Sequence, residues 1–358
     1  MIQATYHQYL LNFKQASGTS RGILRTKETW FIILKKDGKT GVGECGLFRG
    51  LSIDDTPDYQ EKLQWFCENI NLGLEVLLAK AIHFPSIQFG LEQAFLSLKS
   101  ELKSELKSEL KSENKFELFP SDFTKGTQDI PINGLVWMGD KSFMQQQIKD
   151  KLQQGFTTIK MKIGAIDFDT ELNLLKAIRK EFSSKEITLR VDANGSFTPK
   201  DALQKLQRLS ELNIHSIEQP IQQGQWQEMA NLCEKTPLPI ALDEELIGVF
   251  TSEEKEKCIE TIKPQYIILK PSLIGGFQGS KQWISIAKKY DADNWITSAL
   301  ESNIGLNAIA QFTKILENPL PQGLGTGGLF TNNFESPLEV INGNLHYNIK
   351  KKWAFNLE

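Results

Sequence analysis

Between residues 130 and 328, eight short β-rich runs are separated by longer, polar, charge-rich segments, and few folds accept that order. The runs cover residues 130–137, 157–164, 187–195, 214–221, 239–246, 266–275, 294–302 and 323–328. Intervening segments such as 169–182 and 199–212 carry their apolar residues at helical spacing. Strands that alternate with helices build βαβ units around a parallel sheet, and eight such strands are the number that closes a (β/α) barrel.

Charged residues stand near the ends of five successive runs. Lys160 and Lys162 lie in the first, followed by Asp192, Glu218, Asp243 and Lys270, at steps of 30, 26, 25 and 27 residues from Lys162. One step is one βα unit, so all six side chains belong at the carboxyl ends of the strands, the face on which barrel enzymes assemble their sites. Singly, each has an ordinary explanation. An acid after an apolar run is usually a helix cap, and a Lys-x-Lys is usually a solvated strand edge. Three acids on consecutive strands, bracketed by lysines on the strands before and after, are poorly explained that way. Carboxylates crowded together stay ionised only beside a cation. An all-oxygen set, without a His or Cys cluster to suggest zinc, suits Mg²⁺ or Mn²⁺. Two-residue alternation puts Lys160 and Lys162 on one strand face, with Lys270 facing them across the mouth.

The remaining features bound the answer more loosely. A length of 358 residues fits one large barrel with an additional domain, and a net charge of −3 recommends neither nucleic acid nor an anionic membrane as partner. The four cysteines form no CxxC pair, the first residues lack a basic segment followed by an apolar core, and no stretch approaches the ~20 apolar residues of a membrane span. A cytoplasmic enzyme acting on a small molecule is expected, with its oligomeric state open. In the first quarter, strands over 30–34 and 40–43 flank an Asp37-Gly38 turn, and helices are expected over 57–67 and 86–98. Residues 98–113 repeat Leu-Lys-Ser-Glu four times. Like charges then stack at i, i+4, so this segment reads as a solvated extension of the preceding helix grown into a linker. The expected division is an α+β domain over 1–128, a barrel over 129–330, and a segment over 331–358 that returns to the first domain.

The ordered set KMKIG, RVDANGSF, IEQP, ALDEE and ILKPSLIGG resembles the muconate-lactonizing branch of the enolase superfamily, over roughly the whole chain. The resemblance implies a modified (β/α)₇β TIM-like barrel closed by an α+β capping domain. It also implies Asp192, Glu218 and Asp243 as ligands of Mg²⁺ and Lys162 as the base that removes a proton α to a carboxylate. Lys270 would then stabilise the resulting charge from the opposite face, and Lys160 would sit near the substrate carboxylate and modulate Lys162. Within the branch, the segments around 16–22, 43–46 and 50–52 are similar to those of o-succinylbenzoate synthases. Dipeptide epimerases typically carry an Asp-x-Asp near the eighth strand, where this chain has the neutral, glycine-rich segment 323–330 with Gly325 and Thr326. Backbone N–H groups there suit an anion. Ser298 and Ser302 are candidates to bind a substrate carboxylate, and Arg21 either meets a succinyl carboxylate or is a surface loop residue. The implied reaction belongs to menaquinone biosynthesis: syn elimination of water from 2-succinyl-6-hydroxy-2,4-cyclohexadiene-1-carboxylate to give o-succinylbenzoate. The alternative is an N-succinylamino-acid racemase or a dipeptide epimerase on the same scaffold.

Overall fold

The computed structural model describes residues 1–19, 22–104, 115–137 and 141–357. Its first part is an antiparallel sheet of β1 (Gln3–Thr19), β2 (Gly22–Lys36) and β3 (Lys39–Cys45), in that spatial order. Asp37 and Gly38 turn β2 into β3 with φ of 49° and 76°, the paired left-handed conformation that an Asp-Gly hairpin supplies. The sheet is covered by α1 (Tyr59–Glu68), α2 (Leu74–Lys80) and α3 (Pro85–Ser104). Alternation along β2 divides its two faces. Trp30, Ile32 and Leu34 pack against Ile87, Leu91, Ala94 and Leu98 of α3, whereas Phe31 and Ile33 meet Phe116, Phe334 and Trp353 on the other side.

The α3 helix continues beyond the expected 86–98 because Leu98 and Leu102, the first leucines of the repeat, join this core. The later repeats lie outside the described residues. At its other end α3 reaches the second part of the fold, where Glu92 accepts hydrogen bonds from the backbone N–H groups of Phe277 and Gln278.

That second part runs β4 (Ile130–Pro131), β5 (Gly134–Val136), α4 (Lys141–Gln153), β6 (Thr158–Lys162), α5 (Phe168–Glu181), β7 (Thr188–Asp192), α6 (Pro199–Ser210) and β8 (Ser216–Glu218). It continues through α7 (Trp226–Lys235), β9 (Ile240–Leu242), α8 (Ser252–Ile262), β10 (Tyr266–Leu269), α9 (Gly276–Lys289), β11 (Asp293–Ile296) and α10 (Asn303–Ile315). The strands β5 to β11 form one parallel sheet in chain order. Local signals start the helices where the strands need them to. Thr198 and Asp201 make a reciprocal capping box at α6, with Pro199 in its first turn, and Thr251 and Glu254 make another at α8.

Two expectations change. The run 130–137 splits, so that Gly134–Val136 enters the parallel sheet while Ile130–Pro131 pairs with β13 (Asn344–Tyr347), the partner of β12 (Leu338–Ile341). The eighth strand, expected over 323–328, shrinks to Gln322 and Gly323, which bridge to Ile132 on one side and Thr297 on the other. Hydrogen bonds from Asn133 N to Gln322 O and from Gly323 N to Ile296 O close the sheet through these two residues. Beyond them the glycine-rich chain leaves the ladder to wrap the barrel mouth. The architecture is a (β/α)₇β barrel, closed by this short eighth segment, with an antiparallel capping sheet.

The cap has no slack where β3 meets α3. A Cβ on Gly43 would stand 1.9 Å from the Gly90 carbonyl oxygen and 2.7 Å from the Ala94 nitrogen, both backbone atoms. Gly43→Ala should therefore lower stability by about 1–3 kcal/mol through overpacking, read as a fall in the urea midpoint. An unchanged midpoint would show that the helix shifts at no cost.

Candidate active site

The parallel ladder lines up the charged residues. Lys162 pairs in register with Asp192, and Asp192 with Glu218, while Asp243 and Lys270 follow directly on β9 and β10. Lys160 and Lys162 project from one face of β6 towards the same carboxylates. The order around the mouth is therefore lysine pair, three acids, lysine.

Burial makes these pairings strong. The side chains of Asp192, Glu218 and Asp243 are 1%, 3% and 2% exposed, so each carboxylate depends on protein partners. Lys160 Nζ lies 2.5 Å from Glu218 Oε2 and 2.9 Å from Asp192 Oδ2. Lys162 Nζ donates to Asn194 Oδ1 at 2.7 Å and to Asp192 Oδ2 at 3.2 Å. Lys270 donates to Asp243 Oδ2. Turned onto the lysines in this way, no three carboxylates among the described residues converge closely enough to share one ion. Glu218 Oε1 is buried and accepts no hydrogen bond.

The ionisation of the group follows from those contacts. Burial alone would raise the Asp192 pKa, but Lys160 and Lys162 outweigh it and hold the carboxyl well below the usual range. Glu218 goes the other way: burial and the neighbouring Asp192 push it far up. Burial disfavours the charge on Lys160 and Lys270, yet Asp192 and Glu218 around the first, and Asp243 and Glu218 around the second, leave both above an ordinary lysine.

Two residues of the site were not singled out from the sequence, although both lie in its motifs. Asn194 accepts from Lys162 and donates through Nδ2 to Glu244 Oε1 at 3.0 Å, which ties the β7 end to the β9 end. Gln219, fully buried, accepts from the backbone N–H groups of Asp243 and Glu245 and donates to Glu245 Oε2. Asn194, Gln219 and Leu300 all have left-handed backbone, with φ of 44°, 38° and 63°. Such conformations persist where a surrounding structure enforces them, and three of the nine non-glycine examples among the described residues lie at the mouth. An acid followed two residues later by Asn was the available signal for Asn194.

A cavity of about 210 Å³ opens onto this cluster. Lys160, Lys162, Asp192 and Lys270 form its charged wall, and Phe48, Leu51, Leu135, Trp137, Leu300 and Leu329 supply apolar surface. Ser298, Gly325 and Thr326 line the far side, where the Ser298 and Thr326 hydroxyls hydrogen-bond each other at 2.7 Å. Arg21 lies outside the described residues.

Ser302 departs from expectation. It is fully buried away from the cavity, its hydroxyl donates to Glu44 Oε2 at 2.5 Å, and its N–H donates to Glu44 Oε1 at 2.9 Å. Glu44 also accepts from the Gly305 N–H at 2.8 Å, so a carboxylate of the capping sheet sits at the N-terminus of α10. Ser302 is the N-cap of that helix, and the joint uses its hydrogen-bonding capacity. Its one hydroxyl donor is held by Glu44, and one acceptor site is taken by the Ile304 N–H.

Residues 144–350 match the family model described as enolase C-terminal domain-like. The o-succinylbenzoate synthase of Desulfotalea psychrophila is 44% identical across 96% of this chain and 98% of its own length. The crystal structure of MenC from the same organism superposes with a TM-score of 0.84 at 42% identity, covering 96% of this chain and 99% of that one. At 19% identity, the dipeptide epimerase of Enterococcus faecalis, solved with Mg and the dipeptide L-Leu-L-Tyr, shares the fold with a TM-score of 0.81, over 99% of this chain and 98% of its own.

The two serines should behave differently when their hydroxyls are removed. Ser302→Ala strips a buried charged acceptor and a helix cap of their partner and should lower stability by about 1–3 kcal/mol. Ser298→Ala loses one neutral hydrogen bond at the cavity wall and should lower it by about 1 kcal/mol or less. Equal urea midpoints for the two variants would overturn the distinction.

Proposed function

Since this chain belongs to the o-succinylbenzoate synthases of the enolase superfamily, we propose that it is a carbon–oxygen lyase that forms o-succinylbenzoate in menaquinone biosynthesis. Its substrate is 2-succinyl-6-hydroxy-2,4-cyclohexadiene-1-carboxylate, from which it eliminates water. The observation that carries the reading is the arc of Lys160 and Lys162, then Asp192, Glu218 and Asp243, then Lys270, beside a cavity whose remaining lining, apart from Glu244 and Lys151, is apolar or neutral.

The donor set suits Mg²⁺. Three carboxylates from adjacent strands offer only oxygen, and buried Glu218 Oε1 has no other partner. The ammonium groups of Lys160 and Lys270 stand where positive charge is needed, so both would release carboxylate oxygens when the ion binds. Bound there, Mg²⁺ would supply the charge that makes a proton α to a carboxylate acidic enough to remove.

The chain's own groups do the rest. Lys162 takes the ring proton as its neutral amine, and the ammonium it becomes can protonate the departing hydroxyl on the same face. Asn194 holds the Lys162 Nζ in place through its side-chain oxygen. Lys160 stays charged beside Asp192 and Glu218 and keeps Lys162 the less encumbered amine of the pair. Lys270 faces the developing negative charge from across the mouth. Ser298, Thr326 and the backbone around Gly325 offer donors to a substrate carboxylate, while Phe48 and Leu51 close the cavity from the capping side. Aromatisation favours the elimination. The four buried free cysteines suit a reducing cytoplasm, and no helix among the described residues is long and apolar enough to cross a membrane.

Chelation tests the cation. EDTA should bring turnover to background and Mg²⁺ should restore it. Independently of activity, millimolar Mg²⁺ should raise the thermal midpoint of the wild type and not that of a Glu218→Gln/Asp243→Asn double variant. Undiminished turnover after thorough chelation would sink the proposal.

The lysines are told apart by substitution. Lys162→Ala should abolish dehydration, since Lys160, the other amine on that face, is held charged by Asp192 and Glu218. Lys270→Arg keeps a cation but removes any base, so it should retain measurable dehydration, reduced about 10²-fold or more by imperfect geometry. A racemase needs both lysines as acid and base, and any racemisation of N-succinyl amino acids shown by the wild type should vanish in Lys270→Arg. Near wild-type dehydration by Lys162→Ala would mean that the base has been misassigned.

A further inference from the structure

A second and larger cavity, of about 340 Å³, lies outside the barrel mouth, where α2 and α3 of the capping part meet α8 and α9. Its size is within the range of small-ligand sites. Leu78, Ile82, Val249, Phe250, Leu273 and Ile274 contribute apolar lining.

At its edge is Lys255, on the first turn of α8 and only 2% exposed. Its ammonium donates one hydrogen bond, to Gln282 Oε1 at 2.8 Å, and lies 5.7 Å from the centre of the Trp283 ring. Among the described residues no carboxylate pairs with it. A buried ammonium normally has an acid beside it, as every lysine of the active site does here. Gln282 is neutral and satisfies one of three N–H donors. Burial is the cause that lowers this lysine, to about 8, so the isolation is felt by the charge itself.

The unmet need is therefore for one negative charge, delivered on a group that also covers apolar surface. Glu75 stands at the cavity rim and disfavours a doubly charged phosphate more than a single carboxylate. We propose that this cavity is a binding site for a small monocarboxylate with an apolar body, its charge held by Lys255. The site is separate from the catalytic cluster but adjoins it through the chain. Gly248–Phe250 leads on from Asp243, and Leu273–Gly275 leads on from Lys270, so a ligand here rests on the loops that leave two of the charged strand ends.

Calorimetric titration of the full chain with benzoate, and with benzamide as an uncharged probe of the same shape, tests the assignment. Wild type should bind benzoate and discriminate against benzamide, and a benzoate site should persist in Lys162→Ala, because the Lys255 cavity lies outside the catalytic mouth. Lys255→Met should weaken benzoate binding roughly tenfold or more, the effect of losing a charge-assisted hydrogen bond. Burial of Lys255 could make that variant misfold, so Ala79→Trp provides a second route. Ala79 is an exposed rim residue, and the larger ring narrows the entrance while leaving Lys255 in place. Loss of binding in Ala79→Trp with native circular dichroism supports the site even where Lys255→Met misfolds, and wild-type benzoate affinity in a natively folded Lys255→Met overturns the assignment. Absence of binding to wild type, loss of binding in Lys162→Ala, or unchanged binding in Ala79→Trp overturns it.

Discussion

Burying three carboxylates side by side creates a charge problem that the barrel mouth is arranged to meet. Asp192, Glu218 and Asp243 sit at the ends of neighbouring strands because the parallel register puts them there. Water cannot solvate them at that depth. Lys160 answers Asp192 and Glu218, Lys162 adds to Asp192 and Lys270 meets Asp243, and the opposite displacement of Asp192 and Glu218 shows how unevenly three lysines divide among three acids. A divalent cation would remove that imbalance, since it can meet all three without the reach limits of a lysine. With such an ion bound, the present ion pairs would loosen and leave the lysines free for the roles proposed for them.

The cap is fastened to the barrel by a related device used twice. Glu92, from α3, accepts from the first backbone N–H groups of α9, and Glu44, from β3, does the same for α10. Each carboxylate meets the partial positive charge of a helix N-terminus and satisfies donors that would otherwise be left over. These two helices follow β10 and β11, the strands that lead to Lys270 and Ser298. Lys27 and Glu301 are both buried at this joint, where burial lowers the Lys27 pKa against the opposing pull of Glu44 and Glu301. Phe48 and Leu51 leave the same capping sheet and reach the cavity. The position of these apolar residues is therefore tied to the strands that lead to Lys270 and Ser298.

Periodicity and charge spacing made much of this legible. The alternation after residue 130 gave the parallel strands, the Asp37-Gly38 pair gave the hairpin, and the step of about one βα unit placed the six charged residues on one rim. What stayed hidden depended on contacts between distant segments. Ser302 and Ser298 are chemically identical four residues apart, and only the approach of Glu44, from 258 residues away, turns one of them into a structural cap. The eighth strand was overestimated because a glycine-rich run gives no periodicity by which to judge where pairing ends. The 130–137 run was read as one strand because nothing local marks the change of sheet within it.

That shortened eighth strand divides the barrel into two kinds of wall. From β6 to β10 the ladder is continuous, and a change at one strand end is felt by its neighbours through register and shared ion pairs. Between β11 and β5 the ring is joined only through Gln322 and Gly323, and Ser298, Gly325 and Thr326 lie along this seam. Those three residues lie off the ladder that carries the charged strand ends. The fold thus sets the charged residues on a continuous, hydrogen-bonded wall and the neutral, glycine-rich segment on a seam held by few backbone contacts.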